Sequence, residues 1–171
     1  MVWVIVIGLV VIFVIIGVTS SKKEKSIKND LQSRGLNLDD FVSVGAYVGG
    51  HPDRNENVDN CFANREGEEM VFYRRIIAEM PQRKFSIKRE NVKNISVEDA
   101  SSIENKITVG RLLLVGVFAL AWRKKKKNEL AFVVIEWNDG RFDHSTTFSL
   151  EGKDAMTKAN TVRNSLIKLC N

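Results

Sequence analysis

The sequence predicts a mainly β domain that is closed by a C-terminal α-helix and preceded by one N-terminal transmembrane helix. Three observations support this class. The chain of 171 residues begins with an apolar run, its middle alternates short apolar stretches with turn residues, and residues 153–170 change to an apolar period of three and four. About seven short strands followed by one helix predict a small, strongly bent β structure that the helix caps at one end.

The first apolar run is interpreted as a membrane anchor. Residues 2–18 read VWVIVIGLVVIFVIIGV and contain no charge. A helix of that length spans about 25 Å, the short end of what a bilayer requires. A cleaved signal peptide is the alternative, but no basic residue precedes the run and SKKEKSIK follows it directly. We therefore interpret residues 1–21 as an uncleaved anchor. The lysines after it predict a single-pass protein of the cell membrane with residues 22–171 in the cytoplasm.

Residues 22–40 are interpreted as a polar linker or a short helix that leads into a domain covering residues 41–171. NREGEE (64–69) predicts a hairpin, and Asn138-Asp139-Gly140 predicts a second, because Asp-Gly favours tight turns between strands. Strands are predicted where apolar residues run or alternate between turn residues: FVSVGAYV (41–48), CFA (61–63), MVFYRRII (70–77), KFSIK (84–88), ISVED (95–99), ELAFVVIEW (129–137) and RFDHSTTFSL (141–150).

The segment GRLLLVGVFALAWRKKKK (110–127) raises the question of a second membrane crossing. Its uninterrupted apolar run, residues 112–122, spans about 16 Å as a helix, roughly half of a hydrocarbon core. A crossing would also deliver five cations to the outer face, against the positive-inside tendency. We therefore assign the segment to the domain, where it is either a buried strand bent at Gly110 or Gly116, or a surface that touches lipid. In the second interpretation anionic headgroups are contacted by Arg123, Lys124, Lys125, Lys126 and Lys127.

The C-terminal stretch KDAMTKANTVRNSLIKLC predicts an amphipathic helix over residues 153–169. Lys158, Arg163 and Lys168 fall outside its apolar stripe, which is therefore expected to face the β core. The stripe comprises Ala155, Ala159, Val162, Leu166 and Leu169, widened by Met156 and Ile167.

The order of strands and closing helix is similar to the pleckstrin-homology fold. Four segments together resemble an uncharacterised bacterial group of membrane-anchored proteins with a pleckstrin-homology-like domain. These segments are YVGGHPD, ITVGRLLLVGVFALAWRKKKK, VVIEWNDGRF and AMTKANTVRNSLI. The resemblance covers roughly residues 40–170. It implies a domain that binds partners or headgroups, and it brings no active-site residues.

Three places were weighed for chemistry. In YVGGHPD, His51 could serve as a general base and Asp53 as the acid that orients it. The competing interpretation is a tight turn built on the glycines and Pro52. Asp143 and His144 alternate along a strand and should therefore point to opposite faces. Cys61 is expected to be a free, half-buried cysteine. We therefore predict no catalytic residue.

Composition excludes several other classes of protein. The net charge is +5, none of it in residues 1–21, which suits proximity to an anionic leaflet but is too diffuse to predict nucleic-acid binding. Two cysteines and two histidines without ligand spacing predict no metal and no cofactor.

The predicted function is a membrane-tethered cytoplasmic interaction module that binds a protein partner, anionic lipid headgroups or both. A small accessory subunit of a membrane protein complex is the alternative, and an enzyme is a third.

Overall fold

The computed structural model describes residues 25–29, 31–33, 35–54, 56–74, 81–99, 102 and 129–171. The predicted anchor and the predicted lipid-contact segment, including residues 123–127, lie outside this part of the chain. The described residues up to Asp40 belong to one compact unit and those from Phe41 onward to another. In the first unit, residues 25–29 and 31–33 are helical and Leu38–Asp40 forms a 3₁₀ turn.

The second unit is mainly β and ends in an α-helix, as predicted. Its described residues form seven strands in one open sheet of order β4-β3-β2-β1-β7-β6-β5, and every pairing is antiparallel. The strands and the helix are β1 (Val42–Gly49), β2 (Val58–Glu66), β3 (Glu69–Arg74), β4 (Gln82–Lys88), β5 (Val92–Asp99), β6 (Leu130–Asn138), β7 (Asp143–Glu151) and α1 (Ala155–Cys170).

The register of the sheet defines two ends. Leu130 pairs with Glu151 and Asp99 with Ala131, while β1 runs antiparallel to β7 with Ala46 opposite Ser149. The start of β1, the end of β5 and the start of β6 therefore lie at one end of the sheet, which we call the entry end. The β1–β2 connection (residues 50–57) and the β6–β7 connection (residues 139–142) lie at the other, which we call the loop end.

The sheet is strongly bent. Strands β4 and β7 are four places apart in the sheet order, so a flat sheet would separate them by about 19 Å. The ring centroids of Phe85 on β4 and Phe148 on β7 are nevertheless only 6.5 Å apart. Phe72 packs between them, with its centroid 4.8 Å from Phe85 and 5.1 Å from Phe148. The two halves of the sheet therefore fold toward each other around an aromatic core.

Helix α1 packs across this core and contacts β6 and β5 most extensively. Ala155, Ala159, Val162 and Leu166 are its buried residues, which confirms those four positions of the predicted apolar stripe. Ile167 and Leu169 are partly buried against the core. The inclusion of Met156 in the stripe was wrong, because its side chain is 43% exposed at the outer face of the first turn.

Arg89, on the connection between β4 and β5, joins three parts of the domain. Its Nε and Nη2 atoms donate to the carbonyl oxygen of Cys170 at 3.1 and 2.8 Å, and its Nη1 atom donates to the carbonyl of Gly67 at 3.2 Å. A cation at the C-terminal end of a helix interacts favourably with the helix dipole and satisfies an otherwise unpaired carbonyl. Arg89 therefore holds the last turn of α1 to the β2–β3 turn.

Both predicted hairpins are present, with differences in length. The β2–β3 turn is tighter than predicted, since Glu66 pairs with Glu69 and only Gly67 and Glu68 lie between the strands. The β6–β7 connection is longer, because Asn138 pairs with Asp143 and the loop comprises residues 139–142. Arg141 and Phe142, predicted to begin a strand, belong to this loop instead.

Candidate functional site

The turn that follows β1 is organised by the hydroxyl of Tyr47, which is fully buried. This hydroxyl accepts a hydrogen bond from the backbone N–H of His51 and donates one to the carbonyl of Arg54, both at 3.0 Å. The N–H of Arg54 in turn donates to the carbonyl of His51 at 3.1 Å. YVGGHPD therefore folds as a tight turn, as one of its two interpretations predicted.

Gly50 allows this turn to lie against β7. Its φ is +92°, and a Cβ built on it would collide with the carbonyl oxygen of Ser145. A residue with a side chain would meet both the strained backbone and this contact. The glycine is thus required by packing within the chain.

His51 is held in one protonation state. Its Nδ1 atom accepts the N–H of Asp53 at 3.2 Å, and its Nε2 atom lies 3.1 Å from the carbonyl of Ser86 on β4. Only the neutral ring with its hydrogen on Nε2 satisfies both partners. The side chain is 4% exposed, and this burial lowers the pKa of the imidazole. Asp53 meets the ring through its backbone N–H, so the predicted pairing of a base with an orienting acid is not formed by these two side chains.

An aromatic stack crosses the loop end. The His51 ring packs between Phe85, at a centroid distance of 4.6 Å, and Trp137, at 5.2 Å. Trp137 also packs on His144, at 4.5 Å. Its Nε1 atom donates to the hydroxyl of Thr146 at 2.9 Å. The stack therefore connects β4, the β1–β2 turn, β6 and β7.

The β6–β7 loop is fixed by the carboxylate of Asp139. This group accepts hydrogen bonds from the N–H groups of Arg141 and Phe142, both at 2.7 Å, and lies 2.8 Å from Nε2 of His144. The contact with His144 is the largest cause and the backbone bonds the next, and together they lower the pKa of Asp139 to about 2. The loop presents Phe142, which is 65% exposed.

Asp143 and His144 contact different groups. Asp143 pairs with Lys93 at 2.7 Å and accepts a hydrogen bond from the side-chain amide of Asn138. His144 packs on Trp137 and pairs with Asp139. The two side chains therefore do not form one catalytic unit, as their alternation predicted.

The two cysteines are free and far apart in sequence. Cys61 is fully buried on β2, more than the half-buried position predicted, and this burial raises its pKa to about 12. Such a thiol is not a reactive nucleophile at neutral pH. Burial also raises the pKa of Cys170. Within the described part of the chain, no group of three or more His, Cys, Asp or Glu residues is arranged to hold a metal ion.

In comparisons with known proteins, no protein-family model, no curated protein and no solved structure matches this chain. Among the described residues, which do not include the predicted anchor, no helix has the length and apolar character needed to cross a bilayer.

The sequence pattern did not indicate the stack at the loop end. Trp137 was visible only as the last residue of an apolar strand, and Phe85 as one position of another. Asp139 was interpreted as a turn former alone, whereas its carboxylate fixes a four-residue loop and pairs with His144. Trp137 also brings the two histidines, which are distant in sequence, into one cluster.

Proposed function

We propose that this chain is a membrane-tethered cytoplasmic interaction module whose domain is pleckstrin-homology-like. The arrangement of the sheet supports the fold assignment. Four strands, β1–β4, form one antiparallel meander and three strands, β5–β7, form another, and the pairing of β1 with β7 joins them. The sheet is bent and the C-terminal helix packs on the core, in the order that the resemblance implies.

The observation that carries the tethering proposal is the position of the entry end. The chain coming from the proposed anchor passes into the sheet at Val42, and the β5–β6 connection leaves at Asp99 and returns at Leu130. These three positions share one end of the sheet. The cationic cluster Arg123–Lys127 precedes Leu130 by only a few residues. In sequence, this end of the sheet is therefore flanked by the proposed tether on one side and by the cationic cluster on the other, which supports contact with anionic headgroups.

The loop end favours a protein partner over lipid. Residues 50–57 and 139–142 together contain three acidic and two basic residues, so an anionic leaflet would not attract them. Phe142 is nevertheless exposed there on a loop that Asp139 fixes, with Arg141 beside it. An exposed aromatic ring on a rigid loop loses little conformational entropy on binding, and aromatic and Arg side chains dominate the free energy of protein interfaces. We therefore propose Phe142 as the anchor residue for a protein partner.

The proposed binding to anionic lipid headgroups is tested by sedimenting residues 22–171 with vesicles. We expect this fragment to sediment with anionic vesicles at low salt and hardly at all with neutral ones. Changing Lys124–Lys127 to Gln should weaken the binding more than about tenfold, since each basic residue near an anionic leaflet contributes about 1 kcal/mol.

The matched control removes four exposed lysines elsewhere: Lys88, Lys93, Lys158 and Lys168. This control keeps the overall charge change and should retain most of the binding, and circular dichroism checks that both variants are folded. Equal sedimentation of wild type and the Lys124–Lys127 variant would leave the cluster with no membrane role.

The protein arm is tested by purifying the full chain from its native membranes and comparing the proteins that co-elute. We expect Phe142→Ser to lose a partner that wild type retains. Met156→Ser is the matched control, since Met156 is the other exposed large apolar side chain of the described residues and lies near the entry end. A partner that is insensitive to Phe142→Ser but lost when residues 2–18 are replaced by another anchor would favour the accessory-subunit alternative.

A further inference from the structure

The turn of residues 50–54 is held to β1 by the hydroxyl of Tyr47, and it is attached to β4 and β6 through one titratable side chain, that of His51. His51 fills the space between Phe85 and Trp137, and its two ring nitrogens bond to the N–H of Asp53 and the carbonyl of Ser86. The turn lies outside the strands, between the end of β1 and the start of β2. Withdrawal of the ring therefore leaves the strand pairings intact.

Protonation is incompatible with this attachment. A second hydrogen on the imidazole must be carried by Nδ1, where it would face the N–H of Asp53, so that two donors oppose each other at 3.2 Å. The charge would also be buried between two aromatic rings, with most of its water removed. Breaking the bond to Asp53 and exposing the ring relieves both costs.

Burial sets the direction of the effect, because it lowers the pKa of His51, whereas the bond to the Ser86 carbonyl raises it. Asp53 and His144 act on it electrostatically: Asp53 stabilises the imidazolium, and His144 opposes it once charged. The neighbouring groups of β4 and β6, Phe85, the Ser86 carbonyl and Trp137, carry no charge. Arg54 lies on the same turn and meets Tyr47 of β1 through its backbone carbonyl.

We propose that His51 is an acid-released latch: its protonation withdraws the ring from between Phe85 and Trp137, while the backbone of the turn keeps its bonds to the Tyr47 hydroxyl and the sheet and the helix stay folded. The latch uncovers the faces of two aromatic rings at the loop end, the end where Phe142 is exposed. It regulates access to that surface and does not depend on the proposed function being correct.

The pH window follows from the sign of the pKa shift. The closed latch lowers the pKa of His51 below the ordinary value of about 6.5, so the open state binds protons more readily. Closure is therefore fully favoured above about pH 6.5 and is lost as the pH falls through the lowered pKa.

The test uses the full chain in neutral detergent micelles, with Trp3 and Trp122 replaced by Phe so that Trp137 is the sole tryptophan. We expect acrylamide quenching of Trp137 fluorescence to increase several-fold between pH 7.5 and 5, with an unchanged far-ultraviolet circular dichroism spectrum. The His51 ring protons seen by NMR should titrate over the same range, and with only two histidines in the chain a His144→Gln variant assigns their signals.

Two non-titrating replacements isolate His51. His51→Phe keeps a ring in the stack, and His51→Gln keeps an N–H for the Ser86 carbonyl, so at least one should retain the fold. Either folded variant should show no pH-dependent change in quenching, whereas His144→Gln should keep the change. The latch is wrong if Trp137 stays shielded down to pH 5, if the His51 variants respond like wild type, or if the circular dichroism signal is lost together with the shielding.

Discussion

Replacing Leu166 with aspartate is expected to unfold the domain. Leu166 is fully buried on the inner face of α1, within the core that the strands and the helix share. The substitution removes the packing of a large side chain and places a carboxylate where no water reaches it. The two effects together cost at least about 3 to 5 kcal/mol, a large part of the stability of a domain of this size. Thermal and urea unfolding of residues 22–171, followed by circular dichroism, measures the loss.

Asn164→Asp is the matched control for this experiment. Asn164 is exposed on the same helix, two residues away, and its replacement introduces the same carboxylate without burying it. We expect its stability to lie within about 0.5 kcal/mol of wild type. A Leu166→Asp variant that melts with the control would show that α1 is not packed on the sheet in solution.

Replacing Gly50 with alanine is expected to be the most damaging single-methyl change at the loop end. The backbone at Gly50 has a φ of +92°, which side-chain-bearing residues rarely adopt, and the new Cβ would collide with the Ser145 carbonyl on β7. The backbone strain alone costs about 1 to 2 kcal/mol, and the collision requires the turn or the strand to move in addition. We expect a loss of about 3 kcal/mol or more.

Gly140→Ala separates strain from collision. Gly140 has a φ of +96°, but a Cβ there meets no atom within 4 Å. It should therefore show the strain alone, about 1 to 2 kcal/mol. If both variants lose the same free energy of unfolding in urea titrations, the turn does not lie against β7 as described.

Local sequence patterns predicted the strands and the helix well where each element depends on residues that are close in sequence. The helix stripe was visible because Ala155, Ala159, Val162 and Leu166 repeat at helical spacing, and all four are buried. Met156 was misassigned because it lies at the edge of the apolar stripe. Whether a residue at that edge is buried depends on how wide a surface of the sheet the helix covers. The loop of residues 139–142 was misassigned because Asp-Gly suits a two-residue turn, whereas the Asp139 carboxylate bonds two later N–H groups and stabilises a longer one.

The contacts between side chains at the loop end could not be predicted from local sequence patterns. His51, Phe85, Trp137 and His144 come from four separate parts of the chain, and only the bend of the sheet brings them together. A pattern of period two shows which residues of a strand share a face, but it does not show which strands face each other across a bend. Cys61 illustrates the same limit, since its full burial on β2 depends on neighbours that are distant in sequence.

The pairing of β1 with β7 has a consequence for how fast the domain folds. The β1–β4 meander needs only short connections, whereas the β5–β7 meander must close the long connection of residues 100–129. The meanders are joined by the ladder that sets Ala46, Tyr47 and Gly49 opposite Ser149, Phe148 and Thr147. Closing it brings together residues roughly 100 positions apart, the costliest loop closure in the sheet. Non-local pairing of this kind slows folding, so formation of the β1–β7 ladder should limit the folding rate of the domain. Both meanders expose apolar faces until this ladder forms.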